Sequence, residues 1–256
     1  MGTTDRKRNA LAPTVLAAGF VLLTFTLATA ATGNAKRTAS KTSRPTAEQM
    51  MVRAHKSRAT WKNIPGFTAD VIVVRDGKRV AGKLTVTSKS DVVLSLADQT
   101  EAKWAERSLK SIVMHRRSSQ GRKYDVEFAD KQMHHPLGRL IKLNEDRMGS
   151  VYRVKGDVIT EVHRTMGAIR FTISVMEVAR NKEGKTLPRS YSFSTWDVKT
   201  GNLKSNTTTH NAWQRVGKFD LPSRLLWITT GDDGKREVRQ IVLRKHHLLG
   251  TKTAAK

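Results

Sequence analysis

The most constraining feature of this chain is the stretch beyond Lys123, which has no convincing helical period and instead runs through short segments that alternate apolar and polar residues. In residues 168–179, Phe171, Ile173 and Val175 fall on one face and Arg170, Thr172 and Ser174 on the other. Residues 189–198 alternate in the same way around Tyr191 and Phe193. Turn signals recur every ~8–12 residues, as expected of consecutive antiparallel strands. They include Lys155-Gly156-Asp157, Thr200-Gly201-Asn202 and Gly231-Asp232-Asp233-Gly234. Further strands are read at 124–128, 138–143, 150–154, 158–164, 202–209, 212–218, 224–230 and 236–245.

Upstream, Asp76-Gly77 separates two β-branched runs at 67–75 and 79–86, a strong hairpin signal, and 91–96 adds a third strand. Two helical patterns flank this hairpin. From Thr46 to Lys62, the 47/50/51/54/58/61 spacing of Ala47, Met50, Met51, Ala54, Arg58 and Trp61 makes one face; Thr46 is the cap and Asn63-Ile64-Pro65-Gly66 the stop. From Asp98 to Arg116, Asp98 caps, Glu101 stands where a capping box needs it, and Ala105, Leu109, Ile112 and Val113 form the apolar side. The fold class is α+β, mainly antiparallel β. A sheet of about ten or eleven strands must curl or expose its edges. The economical solution is a strongly curved sheet or half-open barrel covered by the two helices of the amino-terminal half.

The chain's 256 residues fit one folded domain with extensions. Arg6, Lys7 and Arg8 precede an uncharged run that ends in Ala28-Thr29-Ala30, the pattern of a secretory signal peptide. Cleavage is expected after Ala30, and the alternative is an uncleaved inner-membrane anchor. The expected organisation is a leader at 1–30, a basic disordered linker at 31–46, a single β-rich domain at 47–249 and a flexible tail at 250–256. The expected location is periplasmic or extracellular.

The formal net charge is +25 and there is no cysteine. The missing cysteines exclude a disulfide scaffold, a thiolate metal site, a cysteine nucleophile and a lipoprotein anchor. Lys and Arg are spread over every strand, with denser spots at Arg116-Arg117, Arg122-Lys123 and Arg244-Lys245. On an exported domain this charge points to anionic phospholipid heads, acidic polysaccharides or anionic proteins; no nucleic-acid motif is present. No hydrolase, phosphate-loop or cofactor motif occurs, so no catalytic residue and no cofactor is assigned, and an unrecognised hydrolase is kept only as a minor alternative to a non-enzymatic binding protein or a basic adaptor with a solid core. Glu161 and His163 share a strand face at i, i+2, but a third metal ligand is not apparent and no metal is assigned.

The candidate ligand-contacting residues are therefore apolar. Val71, Val73, Leu84, Val86 and Leu225, with Phe171, Ile173, Val175, Phe193 and Trp227, line the concave side of the expected sheet. If the helices fill that space these residues are core; if a cavity remains they form a pocket for a hydrophobic or amphipathic, lipid-like ligand.

Three stretches carry a family resemblance: residues 61–74 (WKNIPGFTADVIVV), 112–116 (IVMHR) and 147–167 (RMGSVYRVKGDVITEVHRTMG). Together they resemble a bacterial family catalogued as domain of unknown function 3386, over about Met50 to Leu248. The motif residues are His115, Arg116, Met148, Gly149, Ser150, Tyr152, Gly156, Met166 and Gly167, and the resemblance gives them no role. Met148-Gly149 and Met166-Gly167 read as backbone bends. More distantly, the order of an early helix, a G-x-F-x-A strand, hairpins and the turn from Asp197 to Gly201 resembles the LolA and LolB lipoprotein-carrier fold. That resemblance implies a half-open barrel that holds acyl chains, and it transfers no binding residue by position.

Overall fold

A computed structural model describes residues 44–117 and 124–250 of the chain. The leader, nearly all of the expected linker, Arg122-Lys123 and the tail beyond Gly250 lie outside the described residues. The elements run α1 (Ala47–Ser57), β1 (Gly66–Arg75), β2 (Lys78–Thr87), β3 (Val92–Leu96), α2 (Gln99–Arg116), β4 (Val126–Phe128), β5 (Arg139–Leu143), β6 (Val151–Lys155), β7 (Val158–Met166), β8 (Ile169–Arg180), β9 (Thr186–Asp197), β10 (Leu203–Val216), β11 (Phe219–Gly231) and β12 (Arg236–Leu248).

All twelve strands form one curved, unclosed antiparallel sheet in the order β3-β2-β1-β12-β11-β10-β9-β8-β7-β6-β5-β4. Each strand pairs with its sequence neighbour, except that β1 joins β12 and thereby unites two meanders. The edges are the short strands β3 and β4, of five and three residues, which limits edge-to-edge pairing. The chain leaves one edge after β3, passes through α2 and re-enters at the opposite edge as β4.

The segments read separately at 202–209 and 212–218 are the single strand β10. Its pairing with β11 shifts between Ala212 and Trp213, where Trp213 faces Pro222. An irregular register is where a strand tolerates a proline, which has no N–H to give to a ladder. The β1–β12 pairing is likewise irregular between Thr68 and Asp70, beside Lys245 at φ +52°.

Of the two helices, α2 spans the expected residues behind its Asp98 cap, whereas α1 departs from the sequence reading at its end. α1 begins with a capping box: Thr46 Oγ1 accepts from the Gln49 amide (3.2 Å) and Gln49 Oε1 accepts from the Thr46 amide (3.0 Å). It ends at Ser57, five residues before Lys62, because tertiary partners take over the backbone. Ser57 Oγ donates to the Ala54 carbonyl (2.9 Å), and the Ala59 amide donates to the Thr186 carbonyl on β9 (2.9 Å). Trp61 therefore leaves the α1 face; its Nε1 donates to the Asp220 carbonyl (2.9 Å) and its ring stands edge-on to Phe67. In α2, Asp98 caps the amides of Thr100 and Glu101. The Glu101 carboxylate meets Arg75 (3.3 Å) and Arg239 (3.8 Å).

Two separate cores result. Under α2, Ala105, Leu109 and Val113 pack on Val71, Val73, Leu84, Val86, Leu225, Ile241 and Leu243. Under α1, Met50, Met51 and Ala54 pack on Ile141, Tyr152 and Val154. His246 belongs to the first neighbourhood: its Nε2 donates to the Pro222 carbonyl (2.9 Å) and its ring lies 6.0 Å from Phe67. Burial holds this imidazole below its usual 6.5 despite the bond to Pro222, so the fold favours the neutral ring. Its contribution to stability is present above about pH 6.5 and is lost as the pH falls through the lower folded value. In urea titrations across this range, wild type should lose stability on acidification more steeply than His246→Gln; equal slopes would remove His246 as the cause.

Candidate functional site

Two helices cannot cover twelve strands. The inner face of β7–β10 lies between the two cores and is roofed by neither, so its side chains border a cavity of about 910 Å³. This is near the upper end of the ~300–1,000 Å³ range of small-molecule sites.

Strand register places the wall residues in rows. One row crosses the sheet through Tyr152, Val162, Ile173, Phe193, Thr207 and Thr229. A second passes through Val175, Tyr191, Thr209, Trp227 and Arg239. Phe171 and Phe193 meet at a tilt with ring centroids 5.3 Å apart, and Trp104 of α2 meets Trp227 edge-on at 5.2 Å. Ile112 and Trp104 close the cavity from α2, and Met51 and Ala54 from α1. The long wall is thus mainly aliphatic and aromatic, with a hydroxyl stripe from Thr207, Thr209 and Thr229.

The structure divides the ten apolar candidates. Phe171, Ile173, Val175, Phe193 and Trp227 line the cavity. Val71, Val73, Leu84, Val86 and Leu225 are closed into the α2 core, each at most 1% exposed. The family-motif residues divide as well. His115, Arg116, Met148, Ser150 and Tyr152 meet at the cavity from two parts of the chain. Gly149, Gly156 and Gly167 have φ of +54°, +62° and +59°, the left-handed region of tight turns, and Met166 is exposed; none of these four borders the cavity.

Besides the Glu237–Arg239 pair on β12, three arginines line the cavity. Arg58 follows α1, Arg116 ends α2 and Arg164 sits on β7. Arg58 donates to the His115 carbonyl, Arg116 Nη1 to the Ala59 carbonyl (3.0 Å) and Arg164 Nη2 to the Tyr152 hydroxyl (2.6 Å). The Arg116 guanidinium also lies over the Trp213 ring at 5.5 Å. Burial pushes Arg116 down to about 9, and neighbouring Arg58 adds to the shift; the side chain remains cationic at neutral pH. The His115 ring reaches solvent at the rim. The crowded wall disfavours its charged form, and Arg58, Arg116 and Arg164 lower it further, while its bond to the Ser111 carbonyl opposes them. Tyr191 is raised chiefly by burial, against hydrogen bonds from Thr209 and Asn211 and the charge of Arg116.

The sequence reading assigned no role to Arg58 in the site and omitted Arg164. Both had a signal: each is a charge in the apolar phase of its element, Arg58 four residues after Ala54 and Arg164 two after Val162. Glu161 and His163 lie on the opposite face of β7, outside the cavity. The Glu161 carboxylate contacts Arg153 (3.2 Å) and His163 (3.5 Å), and His163 Nδ1 bonds Thr172 Oγ1 (2.9 Å). Among the described residues no group of three His, Cys, Asp or Glu side chains is placed to hold a metal ion.

This arrangement is an open antiparallel half-barrel with a cavity between two helix-covered cores, and by itself it defines no chemistry. The chain belongs to the family described as "Protein of unknown function (DUF3386)", which it matches over residues 42–249. No curated protein matches the sequence. Among solved structures, the chain is similar to a LolA superfamily protein from Nitrosomonas europaea, at 9% identity and a TM-score of 0.37, over 82% of this chain and 96% of that one. It is also similar to MucB in complex with MucA(peri), at 10% identity and a TM-score of 0.18, over 80% and 99% of the two chains. The Pseudomonas aeruginosa MucA/MucB complex gives 10% identity and a TM-score of 0.17, over 80% and 99%.

Proposed function

We propose that this protein is an exported, non-enzymatic envelope protein that binds a hydrophobic or amphipathic, lipid-like ligand inside the half-barrel. The observation that carries the reading is the cavity of about 910 Å³ walled by Phe171, Ile173, Val175, Phe193 and Trp227. An apolar wall of this size left bare to water would be costly, at roughly 25 cal/mol per Å². Covering it with a ligand recovers that free energy. Among the described residues no helix is long and apolar enough to cross a membrane.

Protein purified from its native envelope should show bound lipid by native mass spectrometry. The delipidated protein should enhance the fluorescence of the neutral probe N-phenyl-1-naphthylamine. Repeated absence of both signals would sink the proposal. The net charge of +25 supports a second contact, between the outer surface and anionic envelope material. Binding to anionic vesicles should weaken as salt is raised. Vesicle binding without any probe uptake would instead favour a basic adaptor whose interior takes no ligand.

A further inference from the structure

An amphipathic ligand has a polar end, and the cavity wall is not uniform in what it offers such an end. Three guanidiniums line it: Arg58 reaches the His115 carbonyl, Arg116 the Ala59 carbonyl next to Arg58, and Arg164 the Tyr152 hydroxyl. None of the three makes a salt bridge with a carboxylate among the described residues. Their hydrogen bonds go instead to two backbone carbonyls and a phenol. A guanidinium carries five N–H donors, so most of their capacity is unused. Arg164 Nε is buried and has no partner. Arg116 is only 5% exposed.

Several other arginines of the sheet have carboxylate partners. Arg75 and Arg239 share Glu101 and Glu237, of which Arg239 and Glu237 themselves line the cavity from β12, and Arg139 and Arg153 share Asp130. Two aspartates do border the cavity, and both are engaged. Asp157 takes Arg180 at 2.8 and 3.0 Å, and Asp146 accepts the Ser150 amide at 2.9 Å, feeling Arg164 only at longer range. Arg116 is buried and Arg58 and Arg164 are half-buried; like charges so placed without a counterion are unfavourable, and an anion of the right shape removes that penalty. Carboxylate and phosphate are the planar or multidentate partners that guanidinium forks match.

We infer that Arg58, Arg116 and Arg164 form a head-group subsite, and that the ligand is an amphiphile with an anionic carboxylate or phosphate head whose apolar part lies along Phe171, Ile173, Val175 and Phe193. The inference rests on the cavity-binding reading above and adds its chemical polarity.

The test is displacement of N-phenyl-1-naphthylamine, a neutral probe, by a long-chain fatty acid, the fatty alcohol of equal length, lysophosphatidic acid and inorganic phosphate. The wild type should bind the acid about tenfold or more tightly than the alcohol, the size of one charge-assisted hydrogen bond. Arg58→Gln and Arg164→Gln should each shrink that preference while leaving alcohol binding in place. Arg116→Gln also loses the Ala59 and Trp213 contacts, so its result counts only if its melting curve matches wild type. Equal binding of acid and alcohol by wild type would overturn the head-group subsite and leave the cavity reading standing. Failure of the probe to bind would overturn the cavity reading itself. Tighter binding of lysophosphatidic acid than fatty acid would assign a phosphate head. Inorganic phosphate competing as well as the lipids would overturn the amphiphile assignment in favour of a free-anion site.

Discussion

Ile173→Trp combined with Val175→Trp is expected to lower affinity for the neutral probe at least tenfold, with little change in melting temperature. Both side chains lie on the inner face of β8, facing Phe193 and Tyr191 across the strand pair. In a packed interior, two such enlargements would force neighbours off their rotamers and cost roughly 1–3 kcal/mol or more. Here the added rings enter open volume, so stability is spared and ligand space is lost. Fluorescence titration and calorimetry on the same samples separate the two effects. Unchanged probe uptake would mean that the ligand does not use this wall. A large drop in melting temperature would mean that the central strands are packed core.

Leu225→Ala is expected to show the complementary behaviour. Leu225 is fully buried under α2 and sits across from Ile241 on β12. Truncation there removes favourable burial and leaves a void, typically costing about 2–5 kcal/mol. Ile173→Ala borders space that is already open, so its cost should be nearer 1 kcal/mol, the transfer term alone for a part-buried side chain. The two measurements, made by urea titration under two-state conditions, would place the boundary between core and cavity energetically. Equal losses at both positions would contradict that boundary.

The strands were legible because period-two alternation and glycine turns are local properties; β7, β8 and β9 need nothing else to be seen. The division of the apolar face was not legible. Val71 and Ile173 look alike in sequence, since each is an in-phase β-branched residue of an alternating strand. One is core and the other a cavity wall because of how far two helices reach across twelve strands, a property of the whole sheet. The end of α1 was missed for a related reason. The Ala59–Thr186 hydrogen bond comes from a strand more than a hundred residues away, and it outweighs a helical period that continues through Arg58 and Trp61. Arg58 and Arg164 were a signal left unused, and Arg116 was named as a motif residue without a role. Arg58, Arg116 and Arg164 each hold a position where the pattern calls for an apolar side chain, and such a departure from pattern marks functional sites.

The pairing of β1 with β12 bears on the order of events as the chain is made. Residues 66–75 emerge early, yet one of their two neighbours, residues 236–248, emerges after every other strand. The core under α2 needs Leu225, Ile241 and Leu243, so α2 has no complete surface to settle on until synthesis is nearly finished. Contacts of such long sequence separation form slowly. The later meander can therefore assemble by successive hairpins, while the first three strands and α2 wait for it. A chain arranged in this way leaves the seat of its second helix incomplete until its last strand has been made.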